Sequence, residues 1–425
     1  MLYPDPKNLG RFHYAGISGS GMSALAQFQI MTEGSVSGSD RAFDRGEQTE
    51  TRAMLEKLGI TIFPQDGSGI NEDCKALVVS TAVEEKVLDF AIAQKAGVPI
   101  IHRSELLSHY VANYRTVAVG GTSGKSTVVA MIFEILQATG HNPSIITGGN
   151  LVLLEQQGLI GNAWFGGSDI LVVEADESDG SIVRYEPSVG VVLNLSKDHK
   201  EPHEIANMFM KFRDQTRESF VVGEGENLMN IATNACVFGF GSRATIRAKD
   251  VILEPSFSLF FVDNIHFKIP VPGRHNVENA LAAIAACYTL GVSISAMVQP
   301  LTQFRGVNRR FQSLGIANGV EVVDDFAHNP AKVHAAIETA QRRASRVLAI
   351  YQPHGFSPTR FLRKDFVNAF THALRPNDKL WLLEIYYAGG TAQRDFSAND
   401  IVLEIAACGK QAGFAPPAKF YSNNF

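Results

Sequence analysis

The chain has 425 residues, 45% hydrophobic and 19% charged, with a net charge of −5. At roughly 150 residues per domain this length leads one to expect three domains, and the lack of a basic excess argues against nucleic acid as a partner. An anionic ligand would have to be met by positive charge gathered locally.

In chain order, the N-terminal MLYPDPKNLGRF has no apolar signal region, and no stretch reaches the roughly 18 apolar residues of a membrane span, so neither secretion nor a membrane partner is expected. Short apolar runs (RFHYAGI, ALVVST, VPIIH) alternate with helical patterns (SALAQFQIM, ETRAMLEKLG), which is the rhythm of a parallel α/β sheet. That rhythm restarts at TVAVG, continues through DILVVEAD and SVGVVLNLS, and ends in NVENALAAIAACYTLG. After the polar connector FRGVNRRFQ it begins a third time with GVEVVDDF, RVLAIYQ and KLWLLEIYY. The expected fold class is therefore α/β in three units: an N-terminal domain at 1–114, a central domain at 115–311 and a C-terminal domain at 312–425. The cysteines Cys74, Cys236, Cys287 and Cys408 are far apart, so a disulfide framework or CxxC metal site is not expected and a cytoplasmic setting fits.

Two glycine clusters sit at strand-to-helix turns. In the first, GISGSGMSAL, Gly16, Gly19 and Gly21 let the backbone of Ser18, Ser20 and Met22 approach a pyrophosphate at a helix N-terminus, with Asp40 placed where a ribose-binding acid would stand. The order is GxxGxG and not GxGxxG, which weakens a nicotinamide reading. A glycine-rich tight turn without a ligand is the plainer alternative.

The second cluster, GGTSGKST, has Val119 where the strict P-loop has glycine. Its core is GK[ST]: Gly121, Thr122, Ser123, Gly124 and Thr127 frame the loop, Lys125 can hold β- and γ-phosphates, and the Ser126 hydroxyl can meet Mg2+. Glu174 ends the next strand, where a Walker B acid would reach the same ion. Glu177 and Asp179 of EADESD read more naturally as a solvated acidic turn. VGVVLNLSKDH then delivers Asp198 and His199 at another strand end, and His199 is a second candidate metal contact.

Together GISGSGMSALA, GGTSGKST, VEADESDGS, LNLSKDHKE, PGRHNVENALAAIA, FRGVNRRFQ, VVDDFAHNP and YQPHGFSPTR resemble the Mur ligase family, ATP-dependent amide-forming enzymes of cell-wall precursor synthesis. The match runs over nearly the whole chain, and the family's GTxGK[ST] loop accepts Val119. The resemblance implies a Rossmann-like domain binding the UDP end of a UDP-N-acetylmuramate-type nucleotide sugar, a central P-loop ATPase, and a Rossmann-like domain that closes with the amino-acid or peptide acceptor. It further implies chemistry through an acyl phosphate. The first step joins two anions, so cations and Mg2+ must gather around one oxygen cluster. By resemblance, Glu174 and His199 are magnesium ligands, while His275, Asn276 and Asn279 face the adenine end of ATP. Asn276 is also a plausible helix N-cap. One of Arg309 and Arg310 would reach the ATP phosphates on closure, unless the pair is a solvated linker. The acid of VVDDF, assigned to Asp324, would contact the nucleotide, with Asp325 beside it; an Asx turn would also explain both. His328 is expected near the acceptor.

The chain departs from the family in the last unit. Members that add L-alanine typically carry QPHR-Y-T-R-T-R, whose arginines hold the acceptor carboxylate. Here Gly355 and Pro358 take two of those positions, leaving His354 and Arg360. Asn329 stands where a second histidine is usual, Gly390 where an acid is usual, and PPAKFYSNNF ends earlier than the usual family terminus. The acceptor is thus expected to be L-alanine, another amino acid, or a preformed peptide as in the recycling ligases. A nucleotide-sugar binding protein without turnover and a nicotinamide oxidoreductase are the competing classes.

Overall fold

The computed structural model describes residues 10–32, 34–81, 87–198, 200–387 and 393–415. The first sheet is wholly parallel, in the order Thr61–Phe63, Ser35–Ser39, Arg11–Ala15, Cys74–Val79, Ile100–His102. Chain order reverses between Arg11–Ala15 and Cys74–Val79, so a crevice opens beyond the carboxyl end of Ala15, where the first glycine cluster follows.

The central sheet has Arg115–Gly120 flanked by Val189–Val192 and Ile170–Glu174, all three parallel. Farther out lie Ser219–Gly223, Cys236–Gly239 and Ile246–Arg247 on one side, and Ser144–Ile146 with the antiparallel Ala163–Trp164 on the other. The strand residues Val117, Val119, Val172, Val189 and Val191 are fully buried, as expected for a parallel sheet covered on both faces. Because the three middle strands are parallel, Gly120, Glu174 and Val192 end on one edge, and the segments after them meet there.

A small antiparallel sheet, Lys249–Leu253, Ser258–Val262 and Ile265–Ile269, precedes the helix Arg274–Thr289. Its last hairpin turns through Asp263 and Asn264, both with positive φ (47° and 64°), the backbone that a two-residue type I′ loop requires.

The third unit opens with an antiparallel hairpin, Gln312–Ala317 with Val320–Asp324, and has a parallel sheet of Leu348–Tyr351, Lys379–Leu383 and Ala412–Ala415. The hairpin turns at Asn318-Gly319, with φ of 51° and 78°.

One apolar cluster runs from Phe12, Tyr14 and Phe28 of the first unit into Val173, Phe209 and Phe212 of the second. The third unit has its own cluster, centred on Ile337, Phe366, Phe370, Leu380 and Leu382. No helix of the described residues is long and apolar enough to cross a membrane.

Candidate active site

The strand Arg115–Gly120 runs through the second glycine cluster into the helix Lys125–Ala138. Gly124 sits at the helix N-cap with φ 93°, and a Cβ there would lie 2.4 Å from Asn279 Oδ1, so the position requires glycine on both counts. Asn194 clamps the loop: its Oδ1 accepts from Ser123 N and Thr122 Oγ1, both at 2.9 Å, and its Nδ2 donates to Ser123 O at 3.0 Å.

Lys125 Nζ donates to Gly121 O at 3.0 Å and to Glu177 Oε2 at 2.7 Å. Burial works against its charge, but the carboxylates of Glu177, Asp176 and Glu174 outweigh it and hold the lysine pKa above its ordinary value. Glu177 is only 3% exposed. Asp179 pairs with Arg103 at 3.0 Å. Glu177 thus does not belong to a solvated turn, because the fold buries it against Lys125, whereas Asp179 stays at the exposed end of EADESD, paired with Arg103.

Glu174 Oε1 accepts from Gly148 N at 3.0 Å and from Thr147 Oγ1. Ser126 Oγ accepts from Arg310 Nη2 at 3.3 Å, a contact that reaches from the connector back to the P-loop. Arg309, next in the chain, turns away with φ 57° and pairs with Asp324 at 3.2 Å, both side chains well exposed. Only Arg310 of the two lines the P-loop cavity, and the same division separates the aspartates. Asp325 lines the cavity and accepts from Phe311 N at 2.7 Å, whereas Asp324 stays with Arg309. Asp325 also accepts from the backbone of Ala327, two residues on, so the local Asx-type bond and the long-range bond act together.

The cavity has a volume of about 460 Å³ and brings together Thr122, Ser123, Gly124, Lys125, Ser126, Thr127, Glu174, His275, Asn276, Asn279, Arg310 and His328. Asn276 is not the helix N-cap. Gly273 occupies that position, and Asn276 Nδ2 reaches back to Pro272 O at 2.7 Å while its Oδ1 accepts from Asn279 Nδ2 at 3.2 Å. Burial lowers the His275 pKa, so its ring is neutral at neutral pH. His328 lies on the third-domain wall beside Lys332; burial first, then the Lys332 charge, brings its pKa down to about 4. Its Nδ1 then donates to Phe326 O at 3.0 Å, and Nε2 accepts from Lys332 Nζ at 3.1 Å. His354 is not among the lining residues: it stacks on Tyr386, with ring centroids 5.0 Å apart. Arg360 pairs with Asp395 and covers Phe396. His199 and Gly390 lie outside the described residues.

A second cleft of about 420 Å³ lies at the first glycine cluster, lined by Gly16, Ser18, Gly19, Ser20, Gly21, Met22 and Asp40. The helix Ser20–Met31 starts there without a side-chain cap, leaving its N-terminus open to an anion. Asp40 accepts from Ser18 N and Ala42 N, both at 2.9 Å, so its carboxylate ties the loop to the short helix Arg41–Asp44. Arg103 lies over the loop, with Nη1 2.9 Å from where a Gly21 Cβ would stand, and supplies the local positive charge that the net composition lacks. Glu174 and Asp176 line both this cleft and the P-loop cavity, so the two meet at the end of one strand.

Comparison with known proteins fits this arrangement. Residues 11–115 match the Mur ligase family catalytic domain, 119–287 the Mur ligase middle domain, and 309–422 the Mur ligase glutamate ligase domain. The chain belongs to the Mur ligase family. It is an ATP-dependent ligase of peptidoglycan precursor synthesis. A UDP-N-acetylmuramate--L-alanine ligase of Carboxydothermus hydrogenoformans is 34% identical over 419 residues, 94% of this chain and 87% of that one. One from Acetivibrio thermocellus is 33% identical over 432 residues, covering 97% and 89%. The crystal structure of the UDP-N-acetylmuramate-alanine ligase of Thermotoga maritima superposes with a TM-score of 0.79 at 27% identity, covering 98% of this chain and 93% of that one. A murein peptide ligase from Psychrobacter arcticus shares the fold, with a TM-score of 0.74 at 21% identity over 96% and 91%.

Several residues of this Mur ligase site escape sequence reasoning. Arg103 and Lys332 carry no local motif, and Asn194 lies in LNLSKDHKE without being marked there as a contact of the loop. Asp325 differs from Asp324 only in which way the strand end turns, and Glu177 differs from its acidic neighbours only in burial.

Proposed function

We propose that this enzyme joins an amino acid, L-alanine or a similar acceptor, to the carboxylate of UDP-N-acetylmuramate through an acyl phosphate. The observation that carries the reading is the shared wall at Glu174 and Asp176. A nucleotide sugar with its diphosphate at the Gly16–Gly21 helix terminus would extend toward the P-loop cavity, where its carboxylate meets the γ-phosphate of ATP. The names of the relatives support the same substrate.

In the first step a carboxylate oxygen bonds to the γ-phosphorus and the bond from that phosphorus to the β-phosphate bridge oxygen breaks, releasing ADP. In the second the acceptor amine bonds to the acyl carbon, sheds a proton and expels phosphate. Lys125 and Arg310 offset the repulsion between the two anions of the first step.

The donor set also suits Mg2+. Among the described residues no three His, Cys, Asp or Glu side chains form a metal cluster. Mg2+, however, takes one or two protein ligands and completes its shell with phosphate oxygens and water. Ser126 Oγ and the Glu174 carboxylate would hold it, with His199 as a further ligand, and the ion would neutralise charge on the β- and γ-phosphates.

Gly355 and Pro358, which remove two arginines from the acceptor side, favour one second reading: attachment of a preformed peptide to the same carboxylate. Phosphate release from Mg-ATP and UDP-N-acetylmuramate, measured against L-alanine, glycine, L-serine and a muramyl tripeptide's free peptide, tests both. Stoichiometric phosphate and an amide product with one acceptor is expected. Release that no acceptor stimulates would refute the assignment.

A further inference from the structure

Lys332 is the ammonium group that the third domain brings into the nucleotide cavity among the described lining residues. It lies in the first turn of the helix Pro330–Arg343, whose N-cap Asn329 accepts from Lys332 N at 2.9 Å. Asn329 is completely buried and also donates through Nδ2 to Asp198 Oδ2 of the central domain at 2.8 Å. One side chain therefore starts the helix and pins it to the central domain, which fixes where Lys332 stands.

An ammonium group has three donors. Lys332 makes one side-chain hydrogen bond to a described residue, with His328 Nε2 at 3.1 Å, and its ion pair with Asp198 Oδ2 is long at 3.8 Å. Its side chain is 18% exposed. Burial, ahead of the opposing pull of Asp198, lowers its pKa to about 8, as expected for a cation that its carboxylate neighbours compensate only in part. The phosphate end of the cavity already has its cations in Lys125 on the P-loop and Arg310 on Ser126.

The second step requires an amine at the acyl carbon. In a free α-amino acid that amine stands two bonds from a carboxylate, and a carboxylate drawn into a closed cavity needs a hydrogen-bonding cation. A peptide carries an amide at the same place and needs none. Arg360 is committed to Asp395 and Phe396, and positions 355 and 358 carry no charge.

We propose that Lys332 is a specificity-determining residue that binds the acceptor's α-carboxylate, with His328 orienting its ammonium, and that the acceptor is accordingly a free α-amino acid and not a preformed peptide. This rests on the ligase reading above. The acceptor carboxylate completes the hydrogen bonding of an ammonium that Asp198 meets only at a distance.

The test compares L-alanine, glycine and L-serine with their carboxamides and with a tripeptide, in acceptor-dependent phosphate release with saturating Mg-ATP and UDP-N-acetylmuramate. The unmodified enzyme is expected to prefer the best amino acid over its carboxamide by about a hundredfold in kcat/KM. Lys332→Gln is expected to shrink that preference about tenfold, through the acceptor KM and with the ATP KM nearly unchanged. Lys332→Arg, which keeps the charge, should retain most of it. Equal use of acid and carboxamide by the unmodified enzyme overturns the proposal, as does turnover of the tripeptide. So does a Lys332→Gln defect that appears in the ATP KM or falls alike on acid and amide, which would make Lys332 a phosphate contact. Failure of the ligase reading itself looks different: the unmodified enzyme then releases no acceptor-dependent phosphate with any acceptor, and the Lys332 assignment falls with it.

Discussion

The central domain builds its side of the P-loop cavity from one loop and the ends of neighbouring parallel strands, on a sheet with one face in a core of its own and the other in a core continuous with the N-terminal domain. The third domain builds its side from a connector, a hairpin end and a helix N-terminus, over a core of its own. The geometry of the first side is set by a sheet; that of the second is set by where a domain comes to rest, held by such contacts as Arg310 to Ser126 and Asn329 to Asp198. Substitutions on the first side should therefore remove chemistry, and those on the second should weaken the coupling of closure to chemistry.

The largest effect is expected at Lys125. Lys125→Ala removes the P-loop ammonium and strands the buried Glu177 without its 2.7 Å partner. Phosphate release should fall about a thousandfold; a loss below tenfold would mean that the loop is not the site of phosphoryl transfer.

The two connector arginines sharpen the contrast between the sides. Arg310→Ala should lower kcat about a hundredfold, because it deletes the cation that reaches Ser126 across the domains. Arg309→Ala removes an exposed pair with Asp324 and should change kcat less than about twofold. Equal losses for both would show that the connector acts as a hinge and not through a directed side chain.

A smaller effect lies beneath the P-loop. Glu134, on the same helix as Lys125, is 7% exposed, its Oε1 has no hydrogen-bond partner among the described residues, and burial raises its pKa to about 8 from an ordinary 4.5. The folded state thus binds this proton more tightly than the unfolded state does. Its contribution to stability is full below pH about 4.5 and is lost as pH rises through about 8. Glu134→Gln should melt higher than the unmodified protein at pH 9, with the gain shrinking toward pH 5. Parallel melting curves across that range would refute the assignment.

Much of the central side was legible because its signals are contiguous. A strand, GGTSGKST and a helix follow one another in the chain, and parallel strands that end in Glu174 and run on to Asp198 must deliver both to one edge. The third-domain side was less legible. Asp324 and Asp325 are neighbours at a strand end, and which of them enters the cavity is decided by the bond from Phe311 N, fourteen residues away. Lys332 lies outside every motif quoted from the sequence, and the docking of Asn329 on Asp198 is what sets it at the cavity. Two hairpins carried usable signals that went unread, Asp263-Asn264 and Asn318-Gly319, both with the positive φ values of a two-residue turn. The second shows that GVEVVDDF, which reads as the opening strand of a parallel unit, pairs antiparallel with Gln312–Ala317.

The common boundary of the two clefts at Glu174 and Asp176 has a consequence for inhibition. On the substrate placement proposed above, a molecule that fills one cleft leaves a short path into the other, so a uridine-diphosphate mimic tethered to an adenosine mimic would make its second contact within one molecule. Its avidity would then depend on matching the tether to the gap at that strand end, and would vanish with a tether too short to let both heads seat together.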